Sequence, residues 1–198
     1  DPDTSEGLFV HTANPPPESL APGVMVEVTG TVEEFYGFTR LTGAVTILIT
    51  GGGTVPDPIQ LDASTPSPDP TQPTCAIEYE CMEGMRVAAS GLVVGPTQSF
   101  FTDPVAEFFV VAHPGPRPFR GVGAEYPPMA GLPATVPVFD GNPEVFEVDV
   151  DRLGGSAPEV ATGAAYSAVG PLGFEYGGWE IWAESASVTP GPSVLLSV

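Results

Sequence analysis

Apolar and polar positions alternate along residues 24–35. Val24, Val26, Val28 and Val32 share one parity; Glu27, Thr29, Thr31 and Glu33 share the other. Period-two alternation predicts a strand with one buried face. Gly30 interrupts the apolar row and predicts a bulge or a tight bend. Gly37 stands where a turn is needed, and a β-prone run, VTILIT at residues 45–50, follows and stops at Gly51, Gly52 and Gly53. Similar runs predict strands over residues 7–12, 85–94, 105–112, 144–150, 164–176 and 179–188. The last two are expected to join in a hairpin at Gly177 and Gly178. Nowhere does a sustained helical period occur.

The first hairpin has a second copy. Gly30, Val32, Tyr36, Gly37 and Leu41 align with Gly170, Leu172, Tyr176, Gly177 and Ile181. In each copy a glycine bends the strand, an aliphatic side chain fills the core and Tyr-Gly makes the turn. Two copies predict two domains of one kind. Bent strands and tight turns at this size suit the OB-fold, a five-stranded Greek-key barrel. The fold class expected is therefore all-β, with two OB-fold-like small barrels in tandem.

Composition reinforces this reading. The chain holds 24 glycines and 25 prolines in 198 residues, which cuts it into short segments. At 42% hydrophobic it can still pack a core. Residues 63–74 are rich in Pro, Ser and Thr and predict a linker. They divide a partial OB-like domain at 1–62 from a second at 75–198, and the second carries a long irregular insertion at 113–137.

Charge narrows the choice of partners. The net charge is −20, with five arginines and no lysine. That field disfavours nucleic-acid backbones. No apolar run approaches the about 20 residues that span a bilayer as a helix. Cys75 and Cys81 are spaced wrongly for a CxxC pair and predict a small structural disulfide, hence an oxidising compartment.

Three groups of residues carry candidate chemistry. Asp140, Asn142, Glu144, Asp149 and Asp151 offer hard oxygen ligands at short spacing, a weak calcium site without the EF-hand pattern. Arg117 and Arg120 flank Phe119 and could contact phosphate or stack on a base; pinning a long loop is the plainer reading. Phe100, Phe101, Phe108, Phe109, Trp179 and Trp182 could stack on a ligand, though alternation turns one member of each Phe pair inward. No nucleophile elbow, P-loop, HExxH or dinucleotide fingerprint is present, so no catalytic constellation is expected.

Several stretches resemble a known family. They are TSEGLFVHT at residues 4–12, GVMVEVTGTVEEFYGFTRLT at 23–42, EYECMEGMRV at 78–87, RPFRGVGAEY at 117–126, VFDGNPEVFEV at 138–148 and GPLGFEYGGWEIW at 170–182. Together and in order they are similar to the OB-fold region of large secreted bacterial nucleases. There that region precedes a catalytic domain of the endonuclease/exonuclease/phosphatase superfamily. The catalytic carboxylates, Asn and His pair of that domain have no counterpart in this chain. The resemblance also implies that the first barrel lacks its opening strands, as in a fragment or in a barrel completed by another chain.

Two functions are expected from these readings. One is a non-catalytic accessory region of a secreted protein, as the nuclease resemblance implies. The other is a structural module that polymerises outside the cell by strand complementation, since an open sheet edge invites self-association.

Overall fold

The computed structural model describes residues 6–65, 75, 79–98, 107–113, 144–154 and 160–189. Its strands are β1 (Phe9–Val10), β2 (Val24–Phe35), β3 (Phe38–Gly52), β4 (Ile59–Leu61), β5 (Arg86–Gln98), β6 (Glu107–Val111), β7 (Phe146–Asp149), β8 (Ala165–Glu175), β9 (Gly178–Trp182) and β10 (Ser185–Thr189). Two single turns of 3-10 helix, Glu80–Met82 and Asp151–Leu153, complete the regular structure of the described residues. The protein is all-β, as its alternating pattern predicts.

Strands β5 to β9 close a barrel. The order runs β5-β6-β7-β9-β8, and β8 pairs back onto β5. All contacts are antiparallel except β7 with β9. This is a five-stranded OB-type barrel. Its core holds Val87, Ala89 and Val93 of β5, Phe108 and Val110 of β6, Phe146 and Val148 of β7, Leu172 of β8 and Ile181 of β9. Alternation along each strand sends these side chains inward and their neighbours outward. Phe108 is accordingly buried and Phe109 only half-buried.

β8 is long and bent, and it serves three partners. Residues 165–169 pair with both β5 and β10, and residues 172–175 pair with β9. At the bend, a Cβ on Gly170 would lie 2.1 Å from the Trp182 carbonyl oxygen, so only glycine fits. The run expected as one strand over 179–188 is two, β9 and β10, separated at Ala183 and Glu184.

The disulfide Cys75–Cys81 forms as expected. Between its cysteines Tyr79 is fully buried and packs edge-on against Phe146 and Trp179, 5.9 and 6.1 Å between ring centroids. β4, just before the expected linker, runs parallel to β5 and buries Leu61 in the barrel core. Residues 66–74 of the expected linker and 114–137 of the expected insertion lie outside the described residues.

The remaining strands form an open sheet, ordered β1-β3-β2. β2 and β3 are one long hairpin turned at Tyr36 and Gly37, with φ of 53° and 93°. The β8–β9 hairpin turns identically at Tyr176 and Gly177, with φ of 49° and 90°. Positive φ at both central positions is the type I′ geometry that matches strand twist. The second turn thus sits one residue earlier than Gly177-Gly178, and Gly178 begins β9 opposite Glu175. Gly30 does mark an irregularity. Thr29 pairs with Thr46 and Thr31 with Thr42, so the extra residues lie on β3, where Gly43 has φ of 79°.

The two sheets meet through an aromatic cluster. The ring centroids of Phe9, Phe38 and Trp182 lie 5.3 to 5.4 Å apart. Beside it the Thr39 amide donates to Glu83 Oε1 at 2.8 Å. Gly7 and Gly84 touch backbone to backbone; a Cβ on Gly7 would fall 2.0 Å from the Gly84 carbonyl carbon.

Candidate functional site

The repeated hairpin shows what the open sheet is. Within each copy the strand register agrees: Val32 faces Leu41 and Phe35 faces Phe38, as Leu172 faces Ile181 and Glu175 faces Gly178. The third strand agrees too. β1 runs parallel to β3 with Val10 beside Leu41 and Phe9 beside Arg40; β7 runs parallel to β9 with Val148 beside Ile181 and Glu147 beside Glu180. So β1, β2 and β3 match β7, β8 and β9, the last three strands of the barrel. Among the described residues nothing takes the place of the first two, β5 and β6.

Exposure records the gap. Val26 is 42% exposed and Val32 67%, whereas the barrel equivalents Tyr166 and Leu172 are 4% and 0% exposed. Val28 is half-buried where Ala168 is buried. Cross-strand pairing sets Val26 beside Ile49 and Val28 beside Ile47, so these four side chains make one apolar face. Alternation predicts this face correctly but not its lack of cover. Among the described residues the outer edge of β2 also has no partner strand. In β8 the equivalent edge, residues 165–171, is the one that bonds β5.

A second feature lies in the closed barrel. Glu107, Glu147 and Glu180, from β6, β7 and β9, bring carboxylate oxygens within 4.8 Å of one another. Glu180 is buried and accepts a hydrogen bond from Trp182 Nε1. Burial pushes its carboxyl up to about 8, against the Trp182 hydrogen bond, with Glu175, Asp149 and Glu107 adding repulsion. Burial also raises Glu147, opposed by a hydrogen bond from Glu107 and aided by Asp149. Carboxyls this close share protons or hold a divalent cation. Sequence reasoning misses the trio because strand pairing, not spacing, assembles it. The one available signal is a glutamate between the tryptophans of WEIW.

The residues singled out from sequence scatter. Asp140, Asn142, Arg117, Phe119 and Arg120, with Phe100 and Phe101, lie outside the described residues. Glu144 is buried, Asp149 half-buried and Asp151 exposed. Asp149 Oδ1 accepts from the Asp151 amide at 2.7 Å, a turn contact at the start of the second 3-10 turn. Arg152 instead stacks over Trp182 at 5.2 Å. An open concavity of about 510 Å³ adjoins β4, lined by Gln60, Asp62, Ser64, Ser90 and His113. No helix of the described residues is long and apolar enough to cross a membrane.

Residues 49–193 match the model of a family described as Domain of unknown function (DUF8508). The chain belongs to that family. The DUF8508 match takes in the whole closed barrel with β4 and β10, but only the end of β3 from the open sheet. No curated protein matches the chain, and no solved structure does.

Proposed function

We propose that this DUF8508 chain is a non-catalytic extracellular assembly module, its open sheet completed by a β-strand from another chain. One observation carries the reading. Val26, Val28 and Val32 stand exposed or half-buried where Tyr166, Ala168 and Leu172 form the core of the closed barrel. Burying one such aliphatic side chain is worth about 1.5–3 kcal/mol, so covering the face drives association. The bare edge of β2 supplies the hydrogen bonds that give an added strand its register. The Cys75–Cys81 disulfide supports an oxidising, extracellular setting.

Size-exclusion chromatography with light scattering over a concentration series tests this. Oligomers that grow with concentration are expected. A strictly monomeric profile up to about 1 mM, where even contacts of about −4 kcal/mol would register, overturns the reading.

The likeness to secreted nucleases favours a second reading, an accessory region that helps a nuclease hold its substrate. The closed OB-type barrel is compatible with it. Fluorescence titration with single-stranded DNA at low salt tests it, and no binding there removes it.

A further inference from the structure

Resting on the assembly reading, we propose that the strand completing the open sheet is β2 of a second copy, paired antiparallel with β2 about a two-fold axis at Val28. The edge suits an antiparallel strand. In the barrel the strand added to the matching edge of β8 is β5, and it runs antiparallel. The Leu172 amide donates to the Met85 carbonyl at 2.9 Å, and the Leu172 carbonyl accepts from the Gly84 amide at 2.8 Å, so this parity of β8 turns its peptide groups to the β5 side. The Val169 carbonyl, of the other parity, accepts from the Glu184 amide on the β10 side. Val32 matches Leu172, and Val26, Val28 and Gly30 share its parity. The other parity of β2 turns to β3, where the Gly23 carbonyl accepts from the Gly53 amide. The peptide groups of Val26, Val28, Gly30 and Val32 therefore line the edge that has no partner strand among the described residues.

The sequence of β2 itself fits this edge. β5 reads Val87-Ala88-Ala89-Ser90-Gly91-Leu92-Val93, and β2 reads Val26-Glu27-Val28-Thr29-Gly30-Thr31-Val32. Aliphatic, aliphatic, hydroxyl, glycine and valine fall at the same places. In the barrel Val87 pairs with Gly170, Ala89 with Ala168 and Gly91 with Tyr166. Carried over to the open sheet, that register sets Val26 of one copy beside Gly30 of the other, Val28 beside Val28, and Gly30 beside Val26. Charge selects the same register independently. The glutamates of β2 are Glu27, Glu33 and Glu34. With the axis at Val28, Glu27 faces Thr29, Glu33 faces Gly23, and no glutamate stands opposite another. An axis at Glu27 sets that residue against itself, and one at Gly30 sets Glu27 against Glu33; like charges directly opposite destabilise a sheet. An axis at Thr29 brings Glu34 beside Val24 on the apolar face, and one at Val26 pairs only residues 24–28 of β2. Directly opposed side chains share a face, so the apolar faces of the two copies join. The barrel meets the hairpin at its turn end, where Phe38 packs on Trp182, so antiparallel pairing sends the two barrels to opposite ends of the joined sheet. Both β2 edges are consumed, which closes this contact at a dimer.

The test combines a cross-link with amide exchange on the full chain. It is run at about 0.15 M salt, where repulsion between copies of net charge −20 is screened beyond about 8 Å. Val28→Cys should give a covalent dimer on mild oxidation, because opposed Cα atoms about 5.5 Å apart suit a disulfide. The native cysteines do not compete, since Cys75 and Cys81 are bonded to each other. Val26→Cys and Val32→Cys, which face Gly30 and Val24 across the axis, should stay uncoupled. In the unaltered chain the amides of Val26, Val28 and Gly30 should exchange more slowly as concentration rises, while those of Glu27 and Thr29, turned to β3, keep one rate throughout. Cross-linking at position 26 or 32 equal to that at 28 overturns the register. Oligomers that pass beyond a dimer overturn the two-fold pairing. In either case the assembly reading stands with a different partner strand. A full chain that is monomeric throughout removes both.

Discussion

Glu180 shows how one side chain can set the pH response of the fold. Its carboxyl is raised by burial to about 8, so the folded chain holds a proton that the unfolded chain releases near 4.5. The stabilisation is complete below about 4.5 and is lost as the pH rises through about 8. Glu147, Glu175, Glu83 and Glu80 are raised as well, chiefly by burial, and act in the same direction; Asp62 is lowered, chiefly by its hydrogen bond from the Ser64 side chain, and opposes them. The melting temperature should therefore climb from pH 8 to pH 5. Glu180→Gln keeps an acceptor for Trp182 Nε1 and needs no proton. It should flatten that climb and add about 1–3 kcal/mol of stability at pH 8, measured by urea unfolding at both pH values. An unchanged pH slope in the variant would show that Glu180 is not the group responsible. None of this is legible in the sequence. Glu180 alternates with Trp179 and Ile181 like any solvent-facing strand residue, and only the β7–β9 and β6–β7 pairings set Glu147 and Glu107 beside it.

The disulfide loop is the element whose removal reports most directly on barrel closure. It spans few residues, yet it carries Tyr79, in a left-handed conformation at φ 60°, into the core against Phe146 and Trp179. Cys75→Ser with Cys81→Ser should lower stability by about 2 kcal/mol from restored freedom of the unfolded loop, and more if Tyr79 withdraws. Thermal melting with and without reductant checks this: wild type in reductant should fall to the variant's value. A melting temperature indifferent to reductant would mean the loop contributes nothing. The hairpins were largely legible as elements. Alternation located the strands, and the Tyr-Gly pair located both turns within a residue. The break between β9 and β10 was not, because it follows from β8 bending at Gly170 to serve two partners, a packing event with no local signature beyond the glycine.

For the whole molecule the decisive contrast is between two versions of one hairpin, one enclosed in a barrel and one laid bare. Val28→Asp separates assembly from folding. Val28 sits on the half-covered face and outside the barrel core, so the substitution should cost only about 1 kcal/mol in the monomer, the loss of strand propensity from Val to Asp. It should nonetheless abolish oligomers, because a carboxylate would have to be buried under the added strand. Oligomers of wild-type size from a folded Val28→Asp protein would mean the face is not the contact. Local pattern determined the all-β class, most strand positions, the repeated hairpin and the disulfide, since alternation, turn residues and cysteine spacing act over a few neighbouring residues; β4 and the β9–β10 break escaped it. It also marked Val26, Val28 and Val32 as a face to be buried. Tertiary structure alone decided what covers that face, for burial depends on which strands arrive from elsewhere. In the barrel β5 and β6 close over the hairpin; in the open sheet β1 is the only addition among the described residues, and among them nothing covers the apolar row.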